Sequence, residues 1–166
     1  MRSLKVLFLI GLVLMGGTSS VLAMGDAGFV HDTTSGKRAA DFTLTTVKNE
    51  KFNFTQYRAG KKAIIFFWAT WCPHCREALK EINAMRAEIA ANGIVLVFVS
   101  VGESREAVAN YLADHQYDFD VALDEKQSLD EAYQIVGVPT LVFVDEKGMI
   151  KSVDHGFSNS YQEQFK

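Results

Sequence analysis

Cys72 and Cys75 are the only cysteines in this chain, and they lie in the segment Trp71-Cys72-Pro73-His74-Cys75. Two cysteines three residues apart can form a disulfide with each other, but they cannot build a framework of several disulfides. A ring this short stabilises a fold by only about 2 kcal/mol in the chain-entropy treatment, against about 4.7 kcal/mol for a hundred-residue loop. We therefore interpret the pair as a redox-active dithiol and not as a structural crosslink.

The surrounding pattern places Cys72 at the start of a helix. The apolar run at residues 63–68 is typical of a strand buried on both faces, and apolar residues then recur at helical spacing up to Gly93. Unpaired N–H groups and the positive end of the helix dipole stabilise a thiolate there, lowering a thiol pKa from ~8.5 toward ~3.5–7. Pro73 suits the first helical turn, and His74 adds partial or full positive charge. We expect Cys72 to attack a client protein's cysteine and Cys75, one turn further, to resolve the mixed disulfide.

The rest of the pattern predicts an α/β fold with a mixed sheet. Ser104 and Ser128 are predicted to cap two further helices. Residues 159–166 are predicted to form a short terminal helix. The acidic residues near Ser128 are interpreted as a solvated face, comprising Asp124, Glu125, Asp130 and Glu131. Alternating or continuous apolar runs predict strands near residues 42–44, 52–54, 63–68, 94–101, 119–123, 140–144 and 149–153.

Three segments together resemble the extracytoplasmic thioredoxin-like proteins of the TlpA/ResA-like family. WATWCPHC at residues 68–75 resembles the thioredoxin active-site turn, and GVPT at residues 137–140 resembles that superfamily's cis-proline loop. The stretch at residues 101–133 resembles the central insertion of TlpA/ResA-like members. The resemblance implies a thioredoxin fold: a mixed central sheet flanked by helices, with the TlpA-type central insertion and an N-terminal hairpin, in a domain spanning residues 41–166.

The resemblance also implies roles for individual residues and makes three departures visible. Cys72 is the implied nucleophile, Cys75 the resolver, and Pro139 a cis proline packed against them, while the Val138 backbone pairs with a client strand and Trp71 covers the active-site surface. Thioredoxin carries a buried aspartate where this chain has Phe66, and some reductive relatives carry an acid where it has Ala78; Glu77 is adjacent on the helix but turned away by about 100°. The usual carboxylate proton relay is therefore not expected at these positions.

The N-terminus predicts export. A basic start, an apolar run of about ten residues and small residues before Ala23 form a signal peptide over residues 1–23, with an uncleaved anchor through residues 4–15 as the alternative. Residues 24–40 are interpreted as a flexible linker. Cleavage removes Arg2 and Lys5, leaving 15 basic against 20 acidic residues and a net charge of −5. This mildly acidic balance without a basic run argues against nucleic-acid binding.

We therefore predict a monomeric extracytoplasmic or periplasmic thiol-disulfide oxidoreductase, needing no cofactor or metal. Its partners are client thiols and disulfides and a membrane donor or acceptor of the thiol-disulfide type. Reduction of exported proteins or apocytochromes c is the family's commonest task. The Pro-His dipeptide is also found in DsbA-like oxidants, so oxidation of client dithiols is the alternative function. A copper- or zinc-binding module lacks further cysteine ligands, and a peroxidase lacks the usual threonine, replaced by Ala69.

Overall fold

A computed structural model of the chain describes residues 34–166. The predicted signal segment at residues 1–23, and residues 24–33 of the predicted linker, lie outside the described residues. Residues 34–40 run beside the C-terminal hairpin. The Gly36 N–H donates to the Ile150 carbonyl at 2.8 Å, and the Ala39 N–H donates to the Gly148 carbonyl at 2.9 Å. These backbone bonds tie the start of the described chain to the edge of the fold.

Residues 41–166 form seven strands and four α-helices, followed by a terminal 3-10 helix. The strands are β1 (Thr43–Thr46), β2 (Lys51–Asn53), β3 (Lys62–Trp68), β4 (Ile94–Val101), β5 (Val121–Asp124), β6 (Thr140–Val144) and β7 (Ile150–Asp154). The helices are α1 (Phe54–Arg58), α2 (Pro73–Ala91), α3 (Arg105–Asp114), α4 (Asp130–Tyr133) and the 3-10 helix (Tyr161–Phe165).

The seven strands form one mixed sheet in the order β2-β1-β5-β4-β3-β6-β7. Strand β3 lies inside the sheet, parallel to β4 and antiparallel to β6, with Phe66 opposite Phe98 on one side and Leu141 on the other. Strands β1–β2 and β6–β7 form antiparallel hairpins at the two edges. The predicted mixed sheet, the N-terminal hairpin and the C-terminal hairpin are confirmed.

The two faces of β3 bury two separate apolar layers, because successive side chains in a strand point to opposite faces. Ile64, Phe66 and Trp68 pack in the layer that holds the buried side of α2 and α3. Ala63, Ile65 and Phe67 pack on the opposite face with residues of α1 and α4. Every side chain from Ala63 to Trp68 is fully buried. This rigid central strand fixes the position of the loop that follows it.

Two local predictions are wrong around α1 and α4. Phe54 was expected in a strand, but Asn53 caps a short helix there, its side-chain oxygen accepting from the Gln56 N–H at 2.9 Å. Ser128 does not cap α4, because its hydroxyl donates to Asp124 Oδ1 at 2.7 Å instead. The α4 helix is only four residues long and ends at Gln134, whose φ is +52°.

The predicted solvated acidic face is also only partly present. Glu125 and Glu131 are exposed, but Asp124 is 1% exposed and Asp130 is half-buried. The Asp124 carboxylate accepts from the backbone N–H groups of Ser128 and Leu129 at 2.8 and 2.9 Å, so it shapes the loop after β5. Its burial is offset by these bonds, as a buried carboxylate requires. Within residues 34–166, no helix combines the length and apolar composition needed to cross a bilayer.

Candidate active site

The two cysteines lie at the junction between central strand β3 and the long helix α2. Cys72 is the N-cap of α2 with extended backbone angles, and Pro73 is the first helical residue, as predicted. A disulfide joins Cys72 to Cys75, with their Cα atoms 5.2 Å apart. The Cys75 backbone N–H donates to Cys72 Sγ at 3.1 Å. One of the unpaired N–H groups of the first helical turn therefore points at this sulfur.

Both cysteines are buried, and only Cys72 keeps a small exposed fraction. Cys72 is 3% exposed, whereas Cys75 is fully buried in the layer beneath α2. Cys72 also faces the helix N-terminus, where backbone dipoles favour negative charge. Of the two residues, Cys72 therefore lies nearer to solvent and to the start of α2. Trp71 is 67% exposed, and His74 is also exposed, so both side chains border the disulfide from the solvent side.

The loop before β6 closes the other side of the disulfide. The Val138–Pro139 peptide bond is cis, as the resemblance implied. The Val138 carbonyl oxygen lies 3.5 Å from Cys72 Sγ, so this loop is in direct contact with the reactive pair. The Thr140 hydroxyl donates to the Gly137 carbonyl at 2.7 Å and fixes the turn. Sixty-three residues separate Cys75 from Val138 in sequence, and the β3–β6 pairing brings them together.

His155 was given no role from the sequence, but the fold places it behind this loop. Its Nδ1 lies 3.2 Å from the Pro139 carbonyl oxygen and 3.4 Å from the Thr140 hydroxyl. No sequence signal marks it, because only the β6–β7 register, with Leu141 opposite Asp154, brings it to the loop.

Glu103 is the main feature of the site that sequence reasoning missed. It follows β4, is 9% exposed, and its carboxylate accepts from the Thr70 N–H at 2.8 Å. The Thr70 hydroxyl also donates to it at 2.5 Å, and the Ser100 hydroxyl donates at 3.0 Å. Thr70 lies two residues before Cys72, so this carboxylate holds the loop that carries Cys72. The parallel β3–β4 pairing, which puts Trp68 beside Ser100, makes the contact and leaves no local sequence pattern.

The expected departures at the family's relay positions have simple structural explanations. Phe66 is fully buried and packs edge-on against Phe98, with ring centroids 6.3 Å apart. Ala78 lies in the same apolar layer. Glu77 is exposed, and its carboxylate pairs with the Lys80 ammonium at 3.0 Å on the solvent side of α2. Among residues 34–166, no three His, Cys, Asp or Glu side chains form a cluster suited to a metal ion.

Comparison with known proteins identifies a family and several relatives of this chain. The model of the AhpC/TSA family matches residues 35–153. The thioredoxin-like protein YneN of Bacillus subtilis is 32% identical over 123 residues, covering 73% of this chain and 71% of that protein. The thiol-disulfide oxidoreductase ResA of Bacillus cereus is 25% identical over 152 residues, covering 90% of this chain and 87% of that protein.

Solved structures agree with this assignment. StoA of Bacillus subtilis superposes with a TM-score of 0.63 at 26% identity, covering 76% of this chain and 95% of that one. A thiol:disulfide interchange protein of the thioredoxin family from Chlorobium tepidum superposes with a TM-score of 0.66 at 26% identity, covering 77% and 92%. The chain therefore belongs to the AhpC/TSA family and is a thiol-disulfide oxidoreductase of the thioredoxin fold, similar to ResA.

Proposed function

We propose that Cys72 is the attacking sulfur and Cys75 the resolving sulfur of this oxidoreductase. The Cys72 thiolate bonds to one sulfur of a client disulfide, and the other client sulfur leaves as a thiolate that takes up a proton. Cys75 then loses its proton and attacks Cys72, releasing the second client thiol. The client disulfide is reduced, and the Cys72–Cys75 disulfide is formed. The observation that carries this assignment is the 3.1 Å bond from the Cys75 N–H to Cys72 Sγ at the mouth of α2.

The client approaches along the loop that contains Val138. The Val138 backbone is the pairing edge for an extended client segment, since main-chain bonds at a free edge give affinity without demanding one sequence. The Val138 carbonyl lies 3.5 Å from Cys72 Sγ, so pairing there sets the client sulfur beside the nucleophile. Exposed Trp71 adds apolar contact area on the opposite side.

The physiological direction is reduction of exported proteins, including apocytochromes c, in an extracytoplasmic compartment. The signal-like start of the sequence supports export, and the ResA relatives support a thiol-disulfide exchange role. The Glu103 carboxylate beneath the active-site loop supports reduction, because negative charge near Cys72 disfavours its thiolate and so favours the disulfide. A membrane partner of the thiol-disulfide type returns two electrons to the Cys72–Cys75 pair after each turnover.

A DsbA-like oxidant is the second candidate, and the Pro73-His74 dipeptide favours it. The two directions predict different reduction potentials, near −270 mV for a thioredoxin-like reductant and near −120 mV for a DsbA-like oxidant. Equilibration of the Cys72–Cys75 couple with glutathione or dithiothreitol measures this value. A potential near −120 mV would overturn the reductive assignment. N-terminal sequencing of the protein recovered from a bacterial periplasm tests export and cleavage after Ala23.

Trapping tests the order of attack. Cys75→Ser leaves Cys72 without its resolver, so the mixed disulfide with a client accumulates and survives non-reducing electrophoresis. Cys72→Ser is the matched control, because it also keeps one thiol, but that thiol is the fully buried Cys75. We expect trapped species with Cys75→Ser and none with Cys72→Ser. The reverse result would assign the attack to Cys75.

A further inference from the structure

A pocket of about 150 Å³ opens beside the disulfide, between Trp71 and the loop before β6. Val138, whose carbonyl contacts Cys72, lines it together with Val101, Ile135 and Val136. Trp71 and Val136 are 67% and 76% exposed, and they are two of only three large apolar side chains exposed within residues 34–166. A volume of this size equals about five water molecules, which is enough for one amino-acid side chain.

Two polar residues also line the pocket. Asp130 and Gln127 line it, and no basic residue does so. Asp130 Oδ1 is buried without a hydrogen-bond partner, one of two such side-chain atoms in the described part of the chain. Burial and the neighbouring charge of Asp124 together raise the pKa of Asp130. A buried acceptor without a donor is unfavourable, so this part of the pocket is suited to a group that brings one.

The loop that carries these polar groups is held in place by the fold. Asp124, at the end of β5, accepts from the Ser128 N–H and hydroxyl with one oxygen and from the Leu129 N–H with the other. The Asp130 carbonyl in turn accepts from the Ile135 N–H at 2.9 Å. The carboxyl is therefore presented by a braced turn next to the apolar wall.

Apolar walls beside a carboxylate match one kind of side chain, a long methylene stem with a cationic head. Lys and Arg bury such stems along apolar surface and direct their charged ends to polar groups. An extended client segment advances about 3.3 Å per residue, so a residue within two positions of the attacked cysteine can reach the pocket. We infer that this pocket is a specificity subsite for a Lys or Arg side chain flanking the client cysteine, with Asp130 as its charge partner. The inference rests on the proposed attack by Cys72.

Activated peptides test the subsite. Short single-cysteine peptides, capped as neutral 2-pyridyl disulfides, carry Lys, Gln or Glu at one position within two residues of the cysteine. The reduced protein attacks the peptide sulfur and releases pyridine-2-thione, which absorbs light, and Cys75 then frees the peptide thiol. For at least one position we expect Lys peptides to react about fivefold or more faster than Glu peptides at low salt, the range of a partly exposed ion pair.

Three variants distinguish a specific contact between the peptide and Asp130 from a general effect of the protein's charge. Asp130→Asn should bring the Lys-to-Glu rate ratio close to one, whereas Glu131→Gln removes the same charge from an exposed neighbour and should leave it unchanged. Val136→Lys alters an exposed side chain at the rim, so it keeps the fold and should also abolish the preference by occupying the pocket with its own ammonium. An unchanged ratio in Asp130→Asn or Val136→Lys, or no preference in the wild type, would overturn the inference.

Failure of the proposed function gives a different result. If Cys72 is not the nucleophile, Cys72→Ser still releases pyridine-2-thione at the wild-type rate from every peptide. If only the subsite is wrong, that release is lost in Cys72→Ser while the peptide preference stays absent or insensitive to Asp130.

Discussion

Replacing Glu103 should loosen the loop that positions Cys72, and the structure gives the size of the effect. The carboxylate accepts three hydrogen bonds, two from Thr70 and one from Ser100. Hydrogen bonds to an ionised acceptor contribute about 1.5–3 kcal/mol each, against about 0.5–1.5 kcal/mol between neutral groups. Glutamine keeps the shape, and the Thr70 hydroxyl can rotate to accept from its amide. Each bond is then weakened by about 1 kcal/mol. This loss is partly offset because the neutral glutamine no longer buries a charge.

We therefore expect Glu103→Gln to lower the free energy of unfolding by about 1–2 kcal/mol. Glu103→Ala should lower it by about 3–5 kcal/mol, because it also leaves the Thr70 N–H without an acceptor. Both variants should make the reduction potential of the Cys72–Cys75 couple less negative, since a negative charge near the thiolate is removed.

Urea denaturation of the oxidised protein, followed by fluorescence, measures the stability change, and equilibration with glutathione measures the potential. Glu81→Gln is the matched control: it removes the same charge from an exposed position on α2 and should stay within about 0.5 kcal/mol of the wild type. A Glu103→Ala protein as stable as this control would refute the view that the carboxylate holds the loop. An unchanged potential would refute its electrostatic influence on the cysteines.

Three further perturbations test other parts of the fold. Tyr133→Phe removes a hydroxyl that donates to a backbone carbonyl and should cost about 0.5–1.5 kcal/mol in urea denaturation; no loss would show that water replaces the bond. The pKa of Asp130 is raised by burial and then by the charge of Asp124, so this carboxylate binds a proton more readily in the folded protein than in the unfolded chain. The wild type should therefore lose stability relative to Asp130→Asn as pH rises from 3.8, the ordinary pKa of an aspartate, through the raised pKa of the folded state, and a pH-independent difference would contradict this. Gly148→Ala and Gly60→Ala both place a side chain at positive φ, near +80°, but only at Gly148 does the new Cβ come within 2.7 Å of Arg58 Nη2, in a guanidinium whose other nitrogen, Nη1, donates to backbone carbonyls. Thermal denaturation should show the larger loss at Gly148, by roughly 1 kcal/mol or more, and equal losses would mean that Arg58 moves aside.

The active-site chemistry was predictable from sequence because the residues that carry it are neighbours in the chain. Cys72, Pro73 and Cys75 lie within one turn of a helix, so local rules for helix starts predict their geometry without knowledge of the rest of the fold. The same holds for the Ser104 cap, whose hydroxyl accepts from the Ala107 N–H at 3.3 Å. Central strands were also predictable, since a run buried on both faces must be continuously apolar.

Local rules failed where a distant residue competes for the same polar group. Ser128 has the chemistry of a helix cap, but the buried carboxylate of Asp124 takes its hydroxyl, and α4 begins without a side-chain cap. The acidic cluster could be interpreted from sequence only as a solvated face. Its members are separated by burial, which depends on the whole sheet and not on their neighbours in the chain.

The sequence by itself determined the reactive pair, the helix that activates it and the class of fold, because each depends on contacts between residues close in the chain. Only the tertiary structure decided what surrounds that pair: Glu103 beneath the loop, His155 behind Pro139 and Asp130 in the adjacent pocket. Glu103 follows β4, His155 follows β7 and Asp130 begins α4, and the pairing of β3 with β4 on one side and β6 on the other brings these elements to the same end of the sheet as the cysteines. Pairing between distant strands leaves no periodic trace in the chain, so the surroundings of the site emerge only when the sheet is assembled.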